Sequence, residues 1–310
     1  MKRQARHNRK SVPFFQSLSN GRGPALHIYM FANDVHLGVM PIGGHSYKHP
    51  EFKVQFEGEK IDNEKAIQLC SSLAEFDRHN DCELICDVIN TTANYLSWEG
   101  RAVYEIIREA EQPCQISLLH FTSRRLYKVP GYYIQWAPSA DRKFTNKRFV
   151  ILPAQDVWEI SMPKILGGTK GYQKILNALK RYDRPSPEFW LNDIQKQVQT
   201  LSFNFQDYVR NKEIYDARVT RDWGWNRRDL SLKYQTEFFM FYRIVTFRWT
   251  QAVLREHITN ELNRLFQRLT INSQIIINGL PAANEILKIR KDLVEGKIQF
   301  TKAPDLSSVM

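Results

Sequence analysis

The sequence predicts an α+β protein, predominantly helical, with a small mixed strand region and long helices toward the carboxyl end. Short segments such as FKVQFEG, ISLLHF and GYYIQWAP alternate or run apolar over five to eight residues, as strands do. Elsewhere apolar residues recur every three or four positions, as in Ala66, Leu69, Leu73 and Phe76, and again from Leu254 to Leu269. Proline and glycine punctuate the two kinds of segment. With 310 residues, 43% of them hydrophobic, the chain can bury one large core or two modest ones.

Taken in order, residues 1–24 form a basic arm, MKRQARHNRKSVPFFQSLSNGRG and onward, with too little apolar surface to fold alone. ALHIYMF and GVMPI read as short strands and FKVQFEG as a third. Asp62 is placed to cap the helix carrying Ala66 and Leu69. A second helix covers about Cys82 to Glu109, bent near Gly100, because glycine weakens a helix interior. ISLLHF, GYYIQWAP and RFVILPAQDVWEI follow as strands broken by Pro130, Gly131, Pro138 and Pro153. GYQKILNALKRYD is a helix stopped by RPSP, a further amphipathic helix spans Pro187 to Tyr208, and NKEIYDARVTRDWGWNRRD is irregular. From about Leu230 to Leu269 one very long helix, or two in line, carries the stripe Leu254, Ile258, Leu262, Leu265 and Leu269. SQIIING reads as a strand, and LPAANEILKIRKDLVEGKI as a helix with Pro281 at its start and Gly296 past its end.

Chemistry-bearing motifs are scarce. Cys70, Cys82, Cys86 and Cys114 match neither a zinc ribbon nor a CxxC pair, and His27, His36, His45 and His49 have no ligand spacing, so no metal and no cofactor are expected. GGTKG lacks the spacing of a phosphate loop, and there is no GxSxG or HExxH, which leaves an enzyme without local support. No apolar run of about 18 residues or secretory apolar centre occurs, so neither spanning nor export is expected. The net charge is +11; Lys2, Arg3, Arg6, Arg9, Lys10 and Arg22 precede the first acidic residue, Asp34, leaving +5 to the rest. Such an arm suits polyanions or an acidic protein surface.

A second basic cluster is interleaved with indoles: Arg218, Arg221, Trp223, Trp225, Arg227, Arg228 and Lys233. Guanidinium groups neutralise phosphates and indoles stack on bases, yet the same residues are favoured at the centre of subunit interfaces. The arginines, Lys233 and the arm residues Lys2, Arg3, Arg6, Arg9 and Lys10 are therefore candidate nucleic-acid contacts. Trp223, Trp225, Leu254, Ile258, Leu262 and Leu265 are candidate interface residues. A forty-residue helix would extend about 60 Å, and its stripe is expected to need neighbouring copies for cover.

The segment NEKAIQLCSSLAEFDRHNDCELICDVINTTANYLSWEGRAVYEII, then PCQISLLHFTSRRL and GYYIQWAP, then LPAQDVWEI ahead of GGTKGYQKILNAL, resembles the core of tailed-phage portal proteins, the ring joining capsid to tail. LPAQDVWEI at 152–160 is the most specific part. The chain is shorter than that family and basic where portal channels tend to be acidic. The resemblance implies a wing-like α+β unit at 25–165, a stem-like long-helix region at 166–270 with a reduced clip near 211–228, and a carboxyl-terminal strand and helix at 271–310. It also implies a virion protein assembled in the host cytoplasm. Identical subunits in a ring, double-stranded DNA met through its backbone, and capsid and tail or adaptor proteins would be its partners, with no membrane involved. The other reading is an intracellular nucleic-acid-binding protein using the arm and the Arg/Trp segment.

Overall fold

The computed structural model describes residues 26–41, 52–74, 80–108, 116–123, 125–136, 148–182, 214–225 and 236–298. The arm, the helix expected at 187–208, and Arg227, Arg228 and Lys233 lie outside them. Six helices follow in chain order: α1 (Leu26–Leu37), α2 (Lys60–Ser71), α3 (Asp81–Glu99), α4 (Gly168–Tyr182), α5 (Glu237–Arg268) and α6 (Ala283–Val294). The strands are β1 (Lys53–Gly58), β2 (Arg101–Arg108), β3 (Ile116–His120), β4 (Leu126–Val129), β5 (Tyr132–Trp136), β6 (Phe149–Pro153), β7 (Val157–Ser161) and β8 (Ser273–Asn278). They pair antiparallel as β1–β8, β3–β2–β7 and β4–β5–β6. The mixed α+β character expected from the sequence is what the chain shows.

Three local expectations are corrected. Residues 26–31 of ALHIYMF are helical, and Phe31, Ala32 and Val35 fall on one buried helical face; a short apolar run does not by itself separate helix from strand. Residues 38–41 of GVMPI form a turn that buries Val39 and Met40. The second helix does not continue to Glu109. Gly100 (φ 73°) donates its amide to the Leu96 carbonyl at 2.8 Å as a left-handed cap, and the chain then becomes β2. This strand is buried on both faces, Ala102, Tyr104 and Ile106 toward the main core and Val103 toward a second one. A strand covered on both sides reads as a continuous apolar run.

The expected long helix exists as the thirty-two residues of α5, with Thr236 accepting from the Phe239 amide at its start. Its role is not the one expected. Leu254, Ile258 and Leu262 are fully buried, and Leu265 is 1% exposed, inside a core that also takes α1, α2, α3, α4, β8 and α6. The stripe is covered by its own chain, so it does not call for a neighbour. Trp223 and Trp225, also expected at an interface, are 1% and 2% exposed and pack edge-on against Phe31, with ring centroids 5.7 and 5.2 Å away. Indoles at these positions contribute burial to the monomer, not contact area to a partner. The same core draws on 31–286, so the stretches divided at 165 and 270 share one interior.

Polar groups lock α5 in place. Arg243, 2% exposed, donates to the carbonyls of Ala217 (3.1 Å) and Trp225 and to the Thr220 hydroxyl (3.1 Å), and burial pulls its guanidinium down to about 10. Gln251 donates to the Asp34 and Val35 carbonyls at the end of α1, and Arg255 to the Pro281 carbonyl ahead of α6. The Trp225 indole donates to Asp34 at 2.9 Å. Residues 214–223, expected to be irregular, make a helical stretch and a 3-10 turn ending at Gly224. That glycine has φ 71°, and a Cβ there would run into the Arg243 carbonyl and the Phe247 amide of α5.

His120 stands out among the buried titratable groups. Its ring stacks on Tyr95 and meets Tyr104 edge-on at 5.5 Å, and both nitrogens are buried without a hydrogen-bond partner among the described residues. Burial pushes its imidazole down to about 3. The folded chain therefore holds it neutral while the unfolded chain takes a proton below about 6.5, so stability is lost as pH falls from there toward 3. Urea melts across that range should show a shallower loss for His120→Phe than for the wild type. Leu262→Ala should lower unfolding stability by about 2–5 kcal/mol, to the same extent at every protein concentration; a loss seen only on assembly would return the stripe to an interface.

Candidate interaction surface

The β4–β5–β6 sheet lies outside the β3–β2–β7 sheet, and alternation along each strand sends neighbouring side chains to opposite faces. Leu126, Tyr133 and Leu152 point inward and close a second small core with Val103, Phe121 and Val157. Polar bonds fasten this underside. Glu159 of β7 accepts from the Tyr133 hydroxyl at 2.7 Å and pairs with Arg101 at 3.5 Å and Lys128 at 3.7 Å. Lys128 is raised above its ordinary range by its bond with Tyr133 first, then by Glu159, and its ammonium sits 5.2 Å from the Tyr133 ring centre. The Gln135 amide donates to the Thr122 carbonyl at 2.7 Å, and Arg101 reaches the Ser123 and Leu126 carbonyls.

The opposite face is apolar and open to solvent. Register places three rows across it: Val129, Tyr132 and Pro153; Tyr127, Ile134 and Ile151; and Trp136 beside Phe149, with Arg125 joined through the Trp136 amide at 3.1 Å. Tyr127 is 62% exposed, Phe149 52%, and Tyr132 and Ile151 50% each. Strand spacing makes the face about 14 Å by about 17 Å, with its exposed apolar side chains side by side and not scattered singly. Beside it, Arg125 and Arg148 are basic and exposed.

The long helix steadies this layer from behind. Arg268, in the last turn of α5, donates to the carbonyls of Ala154 (3.3 Å), Gln155 (2.7 Å) and Val157 (3.0 Å), and the His257 ring bonds the Ser161 carbonyl at 2.9 Å. LPAQDVWEI thus runs from the edge of the exposed sheet, through a 3-10 turn at Ala154–Asp156, into β7, held by α5 throughout.

Of the residues singled out from sequence, Arg218 and Arg221 are exposed near the Gly224 turn, while Trp223, Trp225, Leu254, Ile258, Leu262 and Leu265 are interior. The eight side chains of the sheet face were not singled out. Their signal is in LYKVPGYYIQW and FVILP, where both parities of the strand pattern carry large apolar residues, more than one buried face needs. Among the described residues no group of three His, Cys, Asp or Glu side chains is placed to hold a metal ion, and no helix is long and apolar enough to cross a membrane.

No family model and no curated protein matches this chain. A chain in the neck of an empty GTA particle, computed with C6 symmetry, is similar in structure at a TM-score of 0.47 and 12% identity, over 94% of this chain and 90% of that one.

The two faces of the sheet should respond differently to substitution. Tyr133→Phe removes the bond to Glu159 and is expected to cost about 1.5–3 kcal/mol of unfolding stability, whereas Tyr132→Ser, on the open face, should change it by no more than about 0.5 kcal/mol. Denaturant melts of the two variants compare them directly.

Proposed function

We propose that this chain is a non-enzymatic structural subunit of a phage-like head-to-tail connector, working as many identical copies closed into a ring through which DNA passes. The observation that carries the reading is the outward face of β4–β5–β6, an apolar surface closed beneath by the small core of Val103, Phe121 and Val157. A face of this kind is built to be covered by protein, and its middle row is held by Ile134 and Ile151 in addition to aromatic rings. The portal-like order of segments in the sequence supports the same reading, with LPAQDVWEI linking the open sheet to the α5 spine. The long-helix stripe does not support it, since α5 is satisfied within one copy.

In such a ring the chemistry is geometric. Repeated copies turn a monomer's basic residues into a lining that screens phosphate repulsion through backbone contacts without gripping tightly enough to stop passage. Arg218 and Arg221, exposed and next to the Gly224 turn, are proposed for that lining, with Arg227, Arg228 and Lys233 beyond them. The arm residues Lys2, Arg3, Arg6, Arg9 and Lys10 are proposed as a second contact to DNA or to capsid, tail or adaptor proteins. The second reading, a nucleic-acid-binding protein acting as a monomer or dimer, is favoured by one feature, the exposed Tyr127, Tyr132, Trp136 and Phe149 rings inside a basic sequence.

Native mass measurement and negative-stain imaging of the purified chain separate the two. The connector reading predicts closed many-copy rings with a central hole. Single chains at high concentration that bind nucleic acid with a steep salt dependence would support the second reading instead.

A further inference from the structure

Helix α4 has one side in the core and the other in water. Tyr172, Leu176 and Leu179 are buried, and the Tyr172 hydroxyl donates to the Ser97 carbonyl at 2.6 Å. On the opposite side Lys170, Lys174 and Asn177 recur at four and three residues and are exposed, so they form one stripe. Lys180 near the far end and Lys164, in the 3-10 turn ahead of the helix, are exposed as well. No acidic residue occurs between Glu159 and Asp183, and none of the four lysines has an ion-pair partner among the described residues.

This placement works against the helix that carries it. Like charges one turn apart, as at Lys170 and Lys174, oppose helix formation. Lys170 also lies in a first turn that holds no acidic residue, where the macrodipole disfavours a cation. Both penalties are relieved when negative charge lies along the stripe, and local conflicts of this kind collect at functional surfaces.

The fold sets a second basic segment beside the first. Tyr172 packs on Trp223 with ring centres 5.0 Å apart, so the 3-10 turn Arg221–Trp223 lies against α4; Arg218 and Arg221 are exposed there, with Asp222 the one exposed acid of residues 214–225. Glu99 of α3 meets α4 only through its main-chain carbonyl, which accepts from Gln173. Its carboxylate is engaged by Thr122 and Ser123, as that of Asp34 in α1 is by Trp225. Lysine is depleted at the centre of protein interfaces, where aromatic anchors collect, and the α4 stripe presents no such anchor; Ile165, 66% exposed, stands outside it in the preceding turn. A point charge on a flexible stem suits phosphate.

We infer that the outer face of α4 is a binding site for the phosphate backbone of double-stranded DNA, made by Lys164, Lys170, Lys174 and Lys180 and extended by Arg218 and Arg221. Such a contact responds to charge and not to base sequence. It rests on the connector reading for its partner, but it is complete within one copy.

Two double variants of the full chain test it. Lys170→Gln with Lys174→Gln removes two charges from the stripe; Lys288→Gln with Lys291→Gln removes two from exposed positions of α6. The α4 variant should melt at or above the wild-type temperature, since it relieves the Lys170–Lys174 repulsion, which separates lost binding from lost folding. Binding is read as anisotropy of a labelled duplex over a salt series. The α4 variant is expected to weaken every duplex sequence alike and to lower the slope of log affinity against log salt by about 2, while the α6 variant follows the wild type. Equal losses in both variants would reduce the effect to net charge and overturn the inference, as would a wild type that binds no duplex at low salt. Duplex binding unchanged in the α4 variant, with binding of polyglutamate lost, would make the stripe a seat for acidic protein and overturn it too. Negative-stain rings of the wild type keep the connector reading standing through any of these results; duplex binding lost in the α4 variant of a chain that never forms rings overturns that reading and keeps the DNA face.

Discussion

A thirty-two-residue helix running through the middle of a small protein must find cover along most of its length and a partner for each polar atom it takes inside. In this chain α5 meets both demands from its own sequence. Leu254, Ile258, Leu262 and Leu265 vanish among α3, α6 and β8, while Gln251 and Arg255 spend their donors on the carbonyls that end α1 and precede α6. Arg243 does the same for the Trp225 turn, which explains why Gly224 must be glycine where that turn presses on the helix backbone. At its far end Arg268 fastens the turn between β6 and β7 through the Ala154, Gln155 and Val157 carbonyls.

The functional consequence is a division of labour. Apolar residues that resemble an oligomerisation stripe in sequence hold one copy together, and a smaller set on a peripheral sheet is left facing water. The hydrophobic effect draws no distinction between the two sets; which one is available to a partner depends on what the chain has already covered. The Tyr133–Glu159–Lys128 cluster ties the underside of the open sheet to β7.

Much of the fold was legible in the sequence for reasons local to each segment. SQIIING and FKVQFEG alternate and pair as β8 and β1, and LPAANEILKIRKDLVEG announces α6 by Pro281 and Gly296. What was not legible depended on distant residues. The end of α3 at Gly100 is a cap whose meaning comes from β2 being sandwiched by two cores, and no local period reveals that. Whether the Leu254 stripe and the Trp223–Trp225 pair face inward or outward is set by α1 and α6 packing onto them from far along the chain. The sheet face was readable in principle, from strands apolar at both parities, but its exposure follows only from the single layer beneath it.

Hydrogen–deuterium exchange on the chain at a dilution where it is a single copy tests the central claim most directly. The account predicts that amides of α5 from about 245 to 265 exchange only by unfolding of the whole molecule, while those of β4 and β6 exchange sooner and slow down on assembly. Rapid exchange along α5 in the single copy, with protection gained only when copies associate, would contradict it.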